Sequence, residues 1–335
     1  MKDLFNAILR IKVKIALHFY FSKIKVYGKE NIPKNKAIIL VANHQNALVD
    51  PLLIATHTRL NPYFLTRASV FKKSFIAKLL DFIRMIPIYR VRDGIGNMEK
   101  NKETFEKSTE VLLNKGTIVI FGEGNHHIHR NLRPLKKGFA RIAYQALEAN
   151  PDLDLVILPV GLNYGNHQRT GSKVSIIFGP TINPRIFYPH FDPLIKAVEV
   201  GLEPLVSHIP EEKYNQIEKE MILNRIDFTE PKEVRSFISG QSNSIDPKTY
   251  SPPYFTNKVM KVFHFPVYWI WLLIAPKIED PAFTSTFKFV IGLVAVPLWY
   301  IFVLIGLPLL GFETWAFSWA ILGFIYLLAN RNGQG

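Results

Sequence analysis

Short apolar segments alternate with amphipathic ones through the middle of this chain, and this alternation constrains the fold more than any other feature of the sequence. Six segments have the length and the β-branched or aromatic content of buried strands: Ala37–Val41, Pro62–Thr66, Ile86–Tyr89, Thr117–Phe121, Leu155–Val160 and Val174–Phe178. Helical patterns accompany them at about Pro51–Arg59, Phe75–Met85, Asn97–Leu113 and Gly138–Glu148, with two more in residues 190–230. Strands that alternate with helices predict an α/β fold, in which helices flank a mixed, largely parallel sheet.

A long uncharged run near the end of the chain predicts a membrane segment. Phe289–Gly311 is an apolar run of 23 residues, which is long enough to cross a bilayer. Thr314–Ala329 is a second, shorter run, and the sequence Gly311-Phe312-Glu313 between the two is typical of a tight turn. We therefore expect a C-terminal transmembrane hairpin, preceded by an apolar segment, Val262–Pro276, that is re-entrant, interfacial or a third span. A pair of buried helices in a soluble core is the alternative for these runs.

The charge distribution favours a lipid membrane as partner. The chain carries a formal net charge of +14, of which residues 1–260 contribute +13. A basic surface attracts nucleic acid or anionic lipid; the neutral apolar C-terminus and the absence of a nucleic-acid-binding motif favour lipid. The first helical pattern, Leu4–Phe21, is apolar with basic residues interspersed, as in amphipathic helices that lie on an anionic membrane. An ordinary packed helix is the alternative there.

Together these features divide the chain into four parts. Residues 1–24 are expected to form the amphipathic membrane-associating helix, 25–235 the α/β domain, 236–260 a polar linker and 261–330 the membrane segments. The sequence has no cysteine, which excludes disulfides, thiolate zinc sites and a cysteine nucleophile.

A histidine and a carboxylate follow the first predicted strand of the α/β domain. His44 and Asp50 are six positions apart, so at about 100° per residue they could not share a helical face. They can meet only if the chain turns between them. Asp50-Pro51 marks such a boundary, because Asp at the N-cap with Pro at N1 starts many helices. A histidine held by a carboxylate can act as a general base, whereas a helix cap beside a strand-end histidine is the structural alternative.

A second polar block, Phe121-Gly122-Glu123-Gly124-Asn125, directly follows another predicted strand. Two glycines beside a carboxylate let the backbone approach a ligand closely. Cationic or titratable residues follow before Gly138 opens a helix: His126, His127, His129, Arg130, Arg133, Lys136 and Lys137. Such residues and helix N-termini bind phosphate, although a solvated loop has the same composition. Glu123, His126 and His129 recur every three residues but lack a fourth ligand, so no metal is expected.

In order and spacing, these blocks resemble the glycerolipid acyltransferase superfamily, which includes lysophosphatidate and glycerol-3-phosphate acyltransferases. The resemblance covers roughly residues 25–185 and rests on four blocks. The family's Asn-His and following Asp match Asn43, His44 and Asp50, and its strand ending in Arg matches residues 86–90. Its aromatic-Pro-Glu-Gly-Thr-Arg run leading to Pro-Phe-Lys-Lys-Gly matches residues 121–126 and 134–138, and its apolar strand with Pro matches Leu158-Pro159-Val160.

The chain departs from the family pattern in two places. Five residues separate His44 from Asp50, where the family has four, and a loop can absorb the difference. Gly122, Asn125 and His126 stand where the family has Pro, Thr and Arg. Arg130 or Arg133 is the expected replacement for that arginine.

The resemblance implies acyl transfer from acyl-CoA or acyl carrier protein to the hydroxyl of 1-acyl-sn-glycerol 3-phosphate or glycerol 3-phosphate, in phospholipid biosynthesis. His44 would be the general base and Asp50 would hold its imidazole, while the backbone near Gly122–Gly124 would receive the oxyanion. The implied substrate-binding residues are Asn43, Arg90, Glu123, Gly124, Arg133, Lys136 and Lys137.

The expected protein is thus an integral membrane enzyme with its catalytic domain on the cytoplasmic face. Its partners would be the membrane, the acyl donor and the phosphate-bearing acceptor, with no cofactor beyond the donor. Two alternatives stay open: an acyltransferase for another lysolipid or an amine-bearing lipid, and a non-catalytic lipid-binding protein that kept the fold.

Overall fold

A seven-stranded mixed sheet forms the centre of the computed structural model, which describes residues 2–89, 99, 101–241 and 254–332. The strands are β1 (Lys23–Tyr27), β2 (Ala37–Ala42), β3 (Tyr63–Arg67), β4 (Met85–Ile88), β5 (Thr117–Phe121), β6 (Leu155–Tyr164) and β7 (Lys173–Phe178). Their order across the sheet is β1-β7-β6-β2-β5-β3-β4. Only the β6–β7 pair is antiparallel among these strands. The predicted α/β class and the six predicted strands are confirmed, whereas the edge strand β1 was not predicted.

The central strands are buried on both faces, which explains why they read as unbroken apolar runs. In β2, Ile39 packs on the side of helices α4 (Asn101–Leu113), α5 (Gly138–Ala149) and α6 (Phe191–Leu202). Its neighbour Leu40 packs on the opposite side. Helices α1 (Lys2–Tyr20) and α2 (Val49–His57) cover that second face. A short helix, α3 (Ser74–Phe82), lies between β3 and β4.

Two further helices follow the sheet and build a small core of their own. Helix α7 (Tyr214–Leu223) was expected from the sequence, and α8 (Pro231–Ile238) was not. Helix α8 reaches into the predicted linker, residues 236–260, of which 242–253 lie outside the described residues.

The C-terminal part of the chain is helical. It comprises α9 (Tyr254–Phe263), α10 (Phe265–Ile274), α11 (Thr284–Ile301), α12 (Leu307–Leu309) and α13 (Glu313–Asn332). A π-helical turn, Phe302–Gly306, joins α11 to α12, so that the continuous helical stretch runs from Pro281 to Leu309. Gly311, at φ 86°, makes the turn into α13, a backbone conformation that favours glycine.

One helical stretch among the described residues, Pro281–Leu309, is long and apolar enough to cross a membrane, and only 6% of an apolar 18-residue window within it is buried in the protein. The apolar part of α13, Glu313–Ala329, is shorter than a usual span. The sequence predicted two spans, and the structure supplies one helix of full spanning length.

Candidate active site

The two polar blocks meet because the strands that precede them are parallel neighbours. Strand β2 pairs with β5 in a register that places Ala42 opposite Phe121. Both chains leave the sheet at the same edge, and ligands of open α/β sheets bind at the carboxyl ends of strands. A backbone hydrogen bond from His127 N to His44 O, 2.9 Å, ties the two loops together.

His44 and Asp50 form a hydrogen-bonded pair. His44 Nδ1 donates to Asp50 Oδ2 over 2.7 Å. A carboxylate accepts only, so this bond fixes the proton of the neutral imidazole on Nδ1 and leaves Nε2 as the basic nitrogen. The loop between the two residues turns sharply, with Ala47 at φ 23°, and it accommodates the spacing of five intervening residues.

Asp50 is fully buried, and four groups donate hydrogen bonds to it. Besides His44, the N–H groups of Gln45 and Asn46 each donate to Oδ2 over 2.8 Å. Tyr164, at the end of β6, donates its hydroxyl to Oδ1. The predicted N-cap role of Asp50 is wrong: helix α2 begins at Val49, and the carboxylate binds the loop that precedes the helix.

Packing orients the His44 ring. It stacks on Phe121 with 3.9 Å between the ring centroids and 15° between the planes, and His126 meets it edge-on at 5.6 Å. The side chain is 15% exposed, and no hydrogen-bond acceptor or donor engages Nε2 among the described residues. A histidine so held presents one basic nitrogen to a ligand.

Glu123 is buried next to this pair, and Arg133 holds it. Arg133 donates from Nε and Nη2 to Glu123 Oε2 over 2.8 and 2.5 Å. The same guanidinium donates to the side chain and the backbone carbonyl of Asn125. Glu123 Oε1 is buried without a partner among the described residues. Burial raises the pKa of Glu123 to about 7, against the opposing attraction of Arg133.

The loop around Glu123 is built on glycines. Gly124 has φ 80°, which a side chain would strain, and a Cβ there would come within 3.3 Å of the Lys136 side chain. Lys136 is exposed beside this loop, and its N–H donates to Gly122 O. The N–H groups of Gly122 and Gly124 already donate to Ala42 O and Phe121 O, so these two are not free to receive an oxyanion as the sequence suggested.

Two other residues that were expected to contact substrate, Asn43 and Lys137, bind groups of the protein instead. Asn43 is fully buried, and its amide exchanges two hydrogen bonds with the backbone of Leu162, which fixes the end of β2 against β6. Lys137 pairs with Asp192 at the surface, 3.0 Å away. Asn43 and Lys137 thus have partners within the protein.

Neither arginine offered as a replacement for the family arginine is available for that role. Arg133 is engaged by Glu123 and Asn125. Arg130 is buried and donates to the carbonyls of Tyr164 and Gly165. Arg90 lies outside the described residues.

The C-terminal helices contribute to the site, which the sequence did not predict. His126 Nε2 lies 2.7 Å from Asp280 Oδ2, and Phe283 packs edge-on against the His126 ring at 5.0 Å. At the start of α11, Thr286 accepts from Leu48 N over 3.2 Å. Burial acts to raise the pKa of Asp280, but hydrogen bonds from the Ala282 N–H and from His126 outweigh it and lower that pKa.

These contacts join residues as much as 238 positions apart, and only the sequence Asp280-Pro281 hinted at a helix start.

No group of three or more potential metal ligands occurs among the described residues.

Part of the chain is similar to known acyltransferases. Residues 23–163 match the family model described as Acyltransferase. "Glycerol-3-phosphate O-acyltransferase 2" of Saccharomyces cerevisiae is 22% identical over 50% of this chain and 36% of its own length. "1-acyl-sn-glycerol-3-phosphate acyltransferase" of Borreliella burgdorferi is 28% identical over 63% of this chain and 78% of its own length. The chain therefore spans about a third of the yeast relative and most of the bacterial one.

One solved structure to which the chain is similar is the 1-acyl-sn-glycerophosphate acyltransferase PlsC from Thermotoga maritima. It is 23% identical, covers 59% of this chain and 77% of its own, and superposes with a TM-score of 0.46. The family match includes His44, Asp50 and Glu123, and residues 23–163 are thus similar to the acyltransferase family.

Proposed function

We propose that the protein transfers a fatty acyl group from an acyl thioester to the hydroxyl of 1-acyl-sn-glycerol 3-phosphate, with glycerol 3-phosphate as the second candidate acceptor. The observation that carries this proposal is the His44–Asp50 pair, 2.7 Å apart, which leaves Nε2 as the basic nitrogen of a part-exposed ring. The names of the yeast and Borreliella relatives support these two acceptors.

In the proposed reaction, His44 Nε2 takes the proton from the acceptor hydroxyl while that oxygen attacks the thioester carbonyl. A carbon–oxygen bond forms, the carbon–sulfur bond breaks, and the proton passes from His44 to the departing thiolate. General-base assistance of this kind contributes about 10²–10⁴ in rate. Asp50 stabilises the transient imidazolium, as the carboxylate of a Ser-His-Asp triad does. The acceptor's hydroxyl takes the place of the serine, so no acyl-enzyme forms.

Cations around the Glu123 loop are the proposed contacts for the acceptor's phosphate. Lys136 is exposed beside Gly124. His126, 26% exposed and hydrogen bonded to Asp280, stands where the family has arginine. We assign the phosphate to these two side chains and to Arg90, and we assign Arg133 to positioning Glu123. The buried, unpartnered Oε1 of Glu123 is a candidate contact for an acceptor hydroxyl.

We further propose that the protein is membrane-bound. Helix α1 packs Val13 and Leu17 against the domain but exposes an apolar stripe of Leu4, Ile8, Ile11 and Ile15. Helix α3 lies beside it and exposes Phe75, with Phe5 packed on Phe82. Exposed apolar side chains on adjacent helices are typical of a membrane-facing surface, and Pro281–Leu309 supplies an anchor of spanning length. The orientation that we propose places the basic domain on the cytoplasmic side.

One assay tests the proposed reaction. Membranes containing the protein are supplied with labelled acyl-CoA and with each acceptor in parallel, and product is measured for the parent, His44→Ala and His190→Ala. We expect product with the parent and with His190→Ala, whose histidine is exposed at the start of α6, and none with His44→Ala. Full activity of purified, folded His44→Ala would exclude the proposed mechanism.

A further inference from the structure

A cavity of about 750 Å³ lies between the first helix and the C-terminal helices. Residues of α1, α9, α10, α11 and α13 line it, together with the loop that precedes β7. Most of this lining lies outside residues 23–163, the segment that the family match covers. The acyl transfer proposed above leaves this cavity without a role.

The charge of the cavity is of one sign. Lys12, Lys261, Lys288 and Arg169 line it, and its lining residues include no Asp or Glu. None of the three lysines forms an ion pair with a carboxylate among the described residues. Cations brought together without a carboxylate repel one another, and a bound anion would relieve that repulsion.

Lys288 is the most informative of these cations. It is the single charged residue in Pro281–Leu309, the segment of spanning length. Its ammonium donates to Gln168 O over 2.8 Å and lies 4.9 Å from the centre of the Trp271 ring. A charge within a membrane segment is costly and is usually kept for a function, and here Lys12 and Lys261 line the same cavity.

The rest of the wall is apolar and follows helix α11. Phe289, Leu293, Val296 and Tyr300 line the cavity beyond Lys288. At 1.5 Å per residue, the distance along the helix from Lys288 to Tyr300 is about 18 Å, which matches an extended acyl chain. The cavity therefore has a cationic end near the start of α11 and an apolar wall that continues towards the end of that helix.

We propose that this cavity binds an anionic phospholipid of the surrounding membrane, with its phosphate on Lys12, Lys261 and Lys288 and one acyl chain along α11. Basic pockets between membrane helices bind anionic headgroups. The site is distinct from the acceptor site proposed at His44, and it does not depend on acyl transfer. It lies one helical turn from Thr286 and Ser285, which hydrogen bond to Leu48 N and His167 O. A lipid here would hold α11 in place against the catalytic loops.

The test measures lipid binding to the full-length protein in neutral detergent, without acyl donor, by native mass spectrometry. Phosphatidylglycerol and phosphatidylcholine are titrated against the parent, the double variant Lys12→Gln/Lys261→Gln and a matched control, Lys29→Gln/Lys277→Gln, whose lysines are exposed and line no part of this cavity. We expect the double variant to bind phosphatidylglycerol at least about tenfold more weakly, since each lysine near an anionic surface contributes roughly 1 kcal/mol. The control should bind as the parent does.

Two further arms locate the lipid. A phosphatidylglycerol with a photoreactive acyl chain should crosslink to peptides within residues 284–309, and Leu293→Trp, which fills the apolar part of the cavity, should reduce that crosslink. Excess glycerol 3-phosphate should leave the crosslink unchanged.

Several results would overturn the proposal. These are equal affinity of the parent for the two lipids, phosphatidylglycerol affinity unchanged in the double variant, and a crosslink that maps elsewhere. Displacement by glycerol 3-phosphate would assign the cavity to the acceptor instead.

Discussion

At the scale of single residues, the carboxylate of Asp50 holds the parts of the site together. It accepts four hydrogen bonds while fully buried, so it fixes the loop, the His44 ring and the end of β6 at once. An amide in place of this carboxylate would put N–H groups against the four donors or leave donors unpaired.

We therefore predict that Asp50→Asn loses both activity and stability. The free energy of unfolding should fall by about 2 kcal/mol or more, as for a buried hydrogen-bond network that loses its charged acceptor. Denaturant unfolding of the purified protein, together with the acyl-transfer assay, measures both effects. Tyr164→Phe, which removes one donor and keeps the carboxylate, should retain part of the activity. An Asp50→Asn protein of parental stability would contradict this account of the carboxylate.

The raised pKa of Glu123 gives a prediction about stability and pH. Its folded pKa of about 7 lies above the ordinary value of 4.5, so the folded state holds this proton more tightly than the unfolded chain does. The protonated Glu123 side chain therefore contributes to the free energy of unfolding. This contribution is fully present below about pH 4.5 and is lost as the pH rises to about 7, with a total on the order of 3 kcal/mol. Glu123→Gln lacks this titration.

The stability of Glu123→Gln relative to the parent should therefore increase between pH 5 and pH 8. Melting temperatures at the two pH values measure it, with Glu110→Gln, an exposed carboxylate on α4, as the control that shows no such change. A difference between Glu123→Gln and the parent that is the same at both pH values would show that Glu123 does not titrate in this range.

At the scale of elements, the start of α11 is part of the candidate active site. Asp280 pairs with His126, and Thr286 accepts from Leu48 N in the loop that carries His44. The catalytic loops of the sheet are thus held by a helix from the far end of the chain. We assign Asp280 as a positioning residue, which acts on the acceptor through His126.

Asp280→Asn should raise the KM for the phosphate-bearing acceptor several-fold and change kcat less, because it weakens the hydrogen bond that holds the His126 ring in place. The neighbouring exposed carboxylate provides the control, Glu279→Gln, which should leave both constants unchanged. Acceptor titrations at saturating acyl donor give the two values. An equal loss of kcat with KM unaltered would instead place Asp280 in the chemical step or in folding.

At the scale of the whole molecule, membrane orientation is testable with unusual directness because the chain has no cysteine. Single cysteines therefore report one position each. If Pro281–Leu309 spans the bilayer, Glu313→Cys lies on the opposite side from the α/β domain. We expect a membrane-impermeant maleimide to label Glu313→Cys in intact cells. It should label Lys102→Cys, at an exposed position of α4, only after lysis.

Labelling of the two positions from the same side would show that the C-terminal helices lie in one leaflet. The cysteine-free parent controls for background, and both variants must remain in the membrane pellet after alkaline extraction. A chain that leaves the membrane in that extraction would exclude the proposed anchor.

The sequence by itself determined the class of the fold and the identity of the central pair. Continuous apolar runs rich in β-branched and aromatic residues report local burial, as do helical patterns of period 3.6, and six strands followed from the apolar runs. His44, Asp50 and Glu123 were found because each lies just after or near the end of a parallel strand, where side chains of separate loops converge. The edge strand β1 was not predicted, because its alternating lysines interrupt the apolar run that identified the other strands.

Only the tertiary structure decided which groups complete the site. Tyr164 reaches Asp50 across 114 positions, and Asp280 reaches His126 across 154. The tertiary structure also showed that Arg133 and Arg130 bind groups of the protein itself, although the sequence had suggested that one of them binds an anionic ligand. The physical reason is that periodicity records whether a side chain is buried, whereas its partner depends on how loops and helices dock, which no local pattern contains.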